Sequence, residues 1–163
     1  LRGEFHGLMA ARTVTLSTHL AASPDAVWQH VQTPRLLHYV AWPLIRFVPR
    51  GAPWPADRWT EGRHETWMFL FGFLPIGWQI IGIELPEARP GRHVVRDNGH
   101  GPLIRRWDHW IEIEADGGGT RYTDTVHIDA GLLTPLIAAF ARIFYAHRQR
   151  RWRRLASADF AYD

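Results

Sequence analysis

A histidine lies on the apolar side of an alternating segment, RRWDHWIEIE at positions 105–114. The alternation of apolar and polar residues predicts a β-strand with one buried face. His109 shares that face with Trp107 and Ile111. An imidazole placed there can orient a bound molecule or exchange a proton with it. It can equally be a core histidine whose ring bonds a neighbouring polar group, and the sequence leaves both interpretations open.

A carboxylate and a phenol share one face of the next predicted strand. The segment TRYTDTVHID at 120–129 follows a glycine turn, DGGG, at 116–119, and its alternation puts Tyr122 and Asp124 together. In such a hairpin Asp124 comes near His109, and a carboxylate stabilises a protonated imidazole. The sequence therefore predicts a His109–Asp124 pair, either catalytic or structural. Tyr122 is then a ligand-binding hydroxyl or a core aromatic residue.

Aromatic side chains are unusually frequent, with nine Trp and eight Phe in 163 residues. Such rings fill a core and also line pockets for apolar ligands. His147 continues the apolar stripe of the last predicted helix, where it either contacts a ligand or marks the emergence of the helix into water. The full set of predicted ligand-binding residues is Trp67, Phe69, Phe71, Trp78, Arg96, Trp107, His109, Tyr122, Phe140, Phe144 and His147.

Composition excludes several classes of chemistry. The chain has no cysteine, which rules out disulfides, thiolate metal sites and cysteine nucleophiles and fits a cytoplasmic location. The sequence also lacks a His-x-x-x-His pair, a phosphate-binding glycine loop and a nucleophile-elbow serine. We therefore expect neither a metal nor a cofactor.

The charge distribution bears on partners. The formal charge of +3 is too small to indicate nucleic acid. A basic run over 148–154 suggests binding to nucleic acid or to an anionic membrane as one interpretation. We favour the other interpretation, a solvated helix face, and expect no nucleic-acid partner. The longest apolar stretch, 130–140, is too short for a membrane span and contains a proline. Trp110, on the outer strand face, could pack in a homodimer interface, so we leave the oligomeric state open.

A sheet has to position these candidate residues. Pro75 to Gly77 predicts a tight turn between the third and fourth strands, whose nearly continuous apolar content leaves their inward face unassigned. Alternation and turn residues predict strands at 12–20, 44–50, 64–75, 76–85, 91–98, 105–114 and 120–129.

Three helices are predicted beside the sheet. Ser23 and Thr33 are each followed by proline, and such pairs cap and start short helices at 23–31 and 33–40. Helical periodicity then predicts a long helix over 132–158. Its predicted buried stripe comprises Leu133, Leu136, Ile137, Phe140, Phe144, His147, Arg151 and Leu155.

Three segments resemble motifs of the START-like, or SRPBCC, superfamily. They are SPDAVWQHVQTPRLL (23–37), RRWDHWIEIEADGGGTRYTDTVHI (105–128) and FARIFYAHRQRRWRRL (140–155). That superfamily includes pollen-allergen-type proteins, lipid-transfer domains and polyketide cyclase/dehydratase-like proteins. The resemblance implies an α+β helix-grip fold, in which a curved antiparallel sheet of about seven strands wraps around a long C-terminal helix and two short helices follow the first strand. It also implies a deep apolar pocket between sheet and helix.

These inferences lead to an expected domain layout and function. We expect one helix-grip domain over 9–163, with Met9 as the natural start and 1–8 as an added or disordered leader. The predicted function is binding of a small hydrophobic molecule, lipid-like or aromatic, in the pocket. The alternative is a cyclase/dehydratase-type enzyme in which His109 exchanges a proton and Asp124 orients it. A third hypothesis is an interaction module whose basic helix docks on an anionic partner.

Overall fold

Seven antiparallel strands form one curved sheet within residues 10–163, the part of the chain that the computed structural model describes. The predicted leader, 1–8, and the predicted start at Met9 lie outside the described residues. The sheet order is β1-β7-β6-β5-β4-β3-β2. The strands are β1 (Arg12–Leu20), β2 (Ile45–Pro49), β3 (Gly62–Leu70), β4 (Leu74–Glu84), β5 (Arg92–Gly99), β6 (Arg106–Asp116) and β7 (Gly119–Asp129).

The β6–β7 hairpin forms where the sequence predicts it. Gly117 and Gly118 both adopt positive φ, +54° and +84°, which glycine tolerates and other residues rarely adopt. The register pairs His109 with Val126 and Ile111 with Asp124. Asp124 is therefore a diagonal neighbour of His109 on the same face.

The β3–β4 turn lies earlier than predicted. The chain reverses at Phe71–Phe73, and Pro75 and Gly77 lie inside β4. Gly77 has a φ of +111° and sits at a bulge that skips one residue of β4. The prediction failed because Pro and Gly mark bulges as well as turns. Phe71, predicted to bind ligand, lies in the turn with its side chain 55% exposed.

Two short helices follow β1, as predicted. They are α1 (Pro24–Val31) and α2 (Pro34–Ala41). The hydroxyls of Ser23 and Thr33 each accept a hydrogen bond, at 3.2 Å, from the backbone N–H three residues on. These caps satisfy N–H groups that the first helical turn leaves free.

A 3₁₀ turn, Gly131–Leu133, leads into the long helix α3 (Thr134–Ser157), which packs on the concave face of the sheet. Its buried side chains include Ala141, Tyr145, Trp152 and Leu155, spaced four, seven and three residues apart along one face.

The predicted stripe of α3 is wrong at its N-terminal end. Leu133 is 42% exposed and Leu136 is 67% exposed, whereas Phe144 and Leu155 are buried. Thr134, Ile137 and Ala141 form the face of this end that packs on the core, so Leu133 and Leu136 lie on the side turned to solvent. Among residues 10–163, no helix combines the length and apolar character that crossing a bilayer requires.

Candidate functional site

An apolar cavity lies between the concave face of the sheet and α3. Its volume is about 110 Å³. Leu103, which is 44% exposed, lines it together with buried side chains and so marks the side nearest to solvent. Apolar side chains form most of the wall, among them Ile45, Phe47, Met68, Ile76, Ile104 and Ile137.

A second, smaller cavity of about 60 Å³ shares part of that wall. Leu37 and Ile81 line both cavities, and so do three polar residues: Asp97, His109 and Arg148. We call these three residues the polar waist. Asp97 and His109 are direct cross-strand partners on β5 and β6, and Arg148 approaches them from α3.

His109 belongs to a hydrogen-bonded relay beside the cavity. Its Nε2 lies 2.7 Å from Oδ1 of Asp124, and both residues are almost fully buried. The amide of Gln149 donates to Oδ2 of Asp124 at 2.9 Å and to the carbonyl of Leu16 at 2.8 Å. Both oxygens of Asp124 and both amide hydrogens of Gln149 are thus used, and the relay holds His109 in one orientation.

The surroundings of His109 favour its neutral form. Burial lowers the pKa of His109, and the hydrogen bond that its ring donates to Asp124 offsets only part of that effect. A neutral ring that donates from Nε2 to Asp124 carries its lone pair on Nδ1. Nδ1 makes no hydrogen bond to any residue in 10–163, so it is free to accept a proton or a hydrogen bond from a molecule in the cavity.

Arg148 is the most unusual member of the polar waist. It is only 7% exposed, and its buried Nε has no hydrogen-bond partner in the part of the chain that the structure describes. The guanidinium carbon lies 5.2 Å from the ring centre of Tyr145 and 5.6 Å from that of Phe144. Burial lowers the pKa of Arg148, but nearby groups including Asp124 and Asp97 raise it by more, so the side chain stays charged.

Asp97 is a half-buried carboxyl group that faces the cavity with few contacts. Its Oδ1 accepts a hydrogen bond from the backbone N–H of Gly82 at 2.8 Å. Burial raises the pKa of Asp97 to about 7, despite the opposing effects of that hydrogen bond and of Arg148. The carboxyl group therefore holds its proton to a much higher pH than an exposed aspartate does.

The structure brings some predicted site residues to the cavity. Trp107, His109, Phe140 and Phe144 all line it. Asp124 lies behind His109 and touches the cavity only through that ring.

Two predicted residues are held elsewhere. Tyr122 is fully buried against Trp152, with ring centres 5.5 Å apart, and belongs to the core beside the cavity. His147 donates from Nε2 to the carbonyl of Trp42 at 2.8 Å, so it joins α3 to the end of α2 instead of lining the cavity.

Three predicted aromatic residues lie on the other face of the sheet, which corrects the prediction that they contact ligand. The guanidinium of Arg50 stacks over Trp67 at 5.1 Å and over Trp78 at 4.4 Å, and that of Arg46 stacks over Phe69 at 4.7 Å. Alternation along β3 turns Met68 into the cavity and its two neighbours away from it.

Arg96 is also on the outer face, contrary to the prediction that it orients a ligand. Its Nε and Nη2 bind the two oxygens of Asp108 at 2.8 Å and 3.0 Å. Its Nη1 reaches Glu84 at 3.0 Å, and its guanidinium lies over Trp110, which is half-buried. Because alternate residues of β5 point to opposite faces, Asp97 takes the inward position instead.

Sequence reasoning missed Asp97, Arg148 and Gln149. The basic run over 148–154 predicts a solvated helix face, which holds for the exposed Arg150, Arg153 and Arg154 but not for Arg148. A signal was present, because Arg148 lies between Tyr145 and Trp152 at the spacing of one helix face.

Solved structures share the fold at low sequence identity. A START superfamily protein from Mycobacterium smegmatis aligns with a TM-score of 0.62 and 11% identity, over 90% of this chain and 97% of that one. For the Aha1 dimer from Colwellia psychrerythraea the TM-score is 0.58 and the identity 14%, over 89% and 96%. For Ara h 8.0201 the values are 0.52 and 10%, over 87% and 98%. These likenesses confirm the START-like helix-grip fold.

Family membership follows from the sequence. No curated protein matches the chain. The sequence model of the family described as Domain of unknown function (DUF8410) matches residues 18–156. Since this match spans most of the chain, the protein belongs to the DUF8410 family, on a START-like helix-grip fold.

Proposed function

We propose that the protein binds a small molecule with a lipid-like or aromatic body in the cavity between the sheet and α3. The observation that carries this proposal is the cavity itself, walled by aliphatic and aromatic side chains and faced by a few polar groups. That combination is characteristic of ligand sites, in which apolar area supplies affinity and a few polar groups fix orientation.

The size of the cavity favours a compact ligand. A volume of about 110 Å³ is below that of sites for drug-sized molecules and near that of cavities that hold a single aromatic ring. The smaller cavity beyond the polar waist offers room for a second short apolar group. We therefore propose a ligand of one ring or a short acyl chain.

Filling the cavity tests this function. Phe140→Trp adds bulk at a residue that lines the cavity, and Ile143→Trp adds a tryptophan on the exposed side of the same helix. We expect the wild type and Ile143→Trp to bind phenylpropanol and octanol, with shifts of cavity-lining amide signals in NMR titrations. Phe140→Trp should bind them at least about tenfold more weakly, because an overfilled site excludes the ligand.

Two outcomes would contradict the proposal. One is the absence of cavity-localised shifts with either alcohol in the wild type. The other is equal binding by a Phe140→Trp protein whose circular dichroism and melting show an unchanged fold.

A second candidate function rests on the His109–Asp124 bond of 2.7 Å. A neutral His109 oriented by Asp124 presents Nδ1 as a base, so it can remove a proton from carbon next to a carbonyl group. The C–H electron pair then passes into an enolate, and the proton returns from the imidazolium to close the cycle. This is proton-transfer chemistry of the cyclase/dehydratase type.

Deuterium exchange distinguishes this candidate from binding alone. In deuterated buffer, an active site would accelerate exchange at the α-carbon of phenylbutanone, which NMR follows directly. We expect the acceleration to fall at least about a hundredfold in His109→Gln and to decline as the pH drops and the ring becomes protonated. Equal exchange by wild type and His109→Gln would leave the protein as a binder only.

A further inference from the structure

Arg148 carries a charge into the cavity without a counterion in contact. Within residues 10–163, no carboxylate oxygen lies within 4.0 Å of its guanidinium nitrogens, whereas Arg96 has two such partners. Its neighbours are the rings of Tyr145 and Phe144 and the two cavities. The guanidinium thus retains hydrogen-bond donors that the described chain does not use.

The acidic residues near the cavity do not contact Arg148 directly. Both oxygens of Asp124 accept hydrogen bonds, one from His109 and one from Gln149. Asp97 accepts from the backbone of Gly82. Their charges act on Arg148 through space, but neither forms a bidentate pair with it, which is the geometry that a guanidinium favours most.

An arrangement of this kind is costly for folding. A buried charge without a hydrogen-bonded partner carries a desolvation cost that an apolar side chain of similar size would avoid. Three other arginines of the same helix are exposed, so burial is specific to Arg148; they are Arg150, Arg153 and Arg154. Burial of the Arg148 guanidinium lowers the stability of the fold, and such a cost is explained if the guanidinium binds a ligand.

We propose that the ligand is an anion, most simply a carboxylate, whose charged group binds the Arg148 guanidinium while its apolar body fills the larger cavity. This inference rests on the proposed binding function and names the chemical class of the ligand. Gln79, another buried polar residue, also lines the cavity and can bind the same group.

The ionisation state of Asp97 affects how tightly an anion binds in the cavity. Its carboxyl group faces the same cavity, and when ionised it repels a bound anion. With the pKa of Asp97 raised by burial to about 7, protonation of Asp97 accompanies anion binding near neutral pH. The groups that face Asp97 are Arg148 from α3, His109 from β6 and, more weakly, Asp108.

A matched pair of probes tests the proposal. Phenylpropanoate and phenylpropanol share a body and differ in charge, and NMR titration gives the Kd of each. We expect wild type to bind the carboxylate about ten- to a hundredfold more tightly than the alcohol. Arg148→Met should lose that preference and keep its affinity for the alcohol. The control Arg150→Met removes an exposed charge from the same helix and should behave as wild type.

The outcomes separate this inference from the proposed function. Equal affinity for both probes in wild type, or an unchanged preference in Arg148→Met, would overturn the anion assignment while leaving cavity binding intact. Failure of both probes to bind wild type would overturn both. If Arg148→Met does not fold, Arg148→Gln supplies a polar, uncharged side chain at the same site, and it should show the same loss of preference.

Discussion

Arg96 and Arg148 lie on opposite faces of the sheet, and their guanidinium groups differ in the partners that they contact. Arg96 is 27% exposed, grips Asp108 with two nitrogens and reaches Glu84 with a third. Arg148 is more deeply buried and contacts aromatic rings and cavity space. Arg96 closes a structural network, whereas Arg148 leaves donors open toward a space where a molecule can bind.

The carboxylates of the two faces show the same contrast. Burial alone raises the pKa of Asp108, but hydrogen bonds from Arg96 and Arg106 outweigh it and hold the pKa below its ordinary value. Asp97, with one backbone hydrogen bond and no arginine in contact, has a raised pKa. Arg96 and Asp108 on the outer face pair with each other, whereas Arg148 and Asp97 on the inner face do not, and this difference is what we expect between a structural arrangement and the binding arrangement that we propose. Four experiments test or refine this contrast.

The largest effect is expected at the relay beside the cavity. Asp124→Ala leaves the donors of His109 and Gln149 buried without an acceptor. We expect a loss of about 3 kcal/mol in the free energy of unfolding, measured by urea denaturation. Asp57→Ala, in an exposed loop, should change it by less than about 0.5 kcal/mol. A loss at Asp124 as small as that of the control would mean that water satisfies the relay.

The outer network should tolerate the same truncation better. Asp108→Ala removes the main partner of Arg96, which keeps Glu84 at 3.0 Å and partial access to water. We expect a loss of about 1–2 kcal/mol in the free energy of unfolding. A double-mutant cycle with Arg96→Met should show coupling between the two residues, and additive losses would argue against a working pair.

Replacing the two arginines with methionine should change stability in opposite directions. Arg148→Met removes an unpaired buried charge, and we expect the free energy of unfolding to rise by about 1 kcal/mol. Arg96→Met leaves the buried Asp108 with only its longer bond to Arg106 and should lower the free energy of unfolding by a similar amount. A destabilised Arg148→Met protein would show that the contacts with Phe144 and Tyr145 hold the fold together and would weaken the contrast.

The smallest change, taken per pH unit, comes from the titration of Asp97. Because the pKa of Asp97 is about 7 when folded and about 4 when unfolded, its contribution to stability is greatest below pH 4 and is lost as the pH rises to about 7. The stability of wild type relative to Asp97→Asn should therefore fall by about 0.5 kcal/mol per pH unit across that window, since partial solvent access weakens the effect.

His109 acts on wild-type stability in the opposite direction. Its pKa is lowered in the fold, so its contribution is lost as the pH falls below about 6.5, the value of the unfolded chain. Comparison of Asp97→Asn with wild type at each pH removes this shared term. The stability of wild type relative to Asp108→Asn should show the reverse trend. Because the pKa of Asp108 is lowered in the fold, the advantage of wild type should be lost only as the pH falls below about 4. If the stability of both variants relative to wild type changed with pH in the same direction, the proposed difference between the two faces of the sheet would be wrong.

Much of the fold could be predicted because it depends on local patterns. Alternation in 105–114 and 120–129 predicted two strands, and DGGG predicted their hairpin, so the His109–Asp124 contact followed from register alone. Ser23 and Thr33 predicted the starts of two helices through capping. The β3–β4 turn could not be predicted in this way, because a bulge at Gly77 and a turn at Phe71–Phe73 share the same residue types.

The sequence by itself determined the order of elements, their pairing in hairpins, and the face of β6 that carries His109, because short-range geometry controls each of these. Only the tertiary structure decided that α3 turns Arg148 inward, that Asp97 and not Arg96 faces the cavity, and that Gln149 completes the relay. The rotation of a helix about its axis and the inward face of a mostly apolar sheet depend on packing between distant segments. Local periodicity does not contain that information.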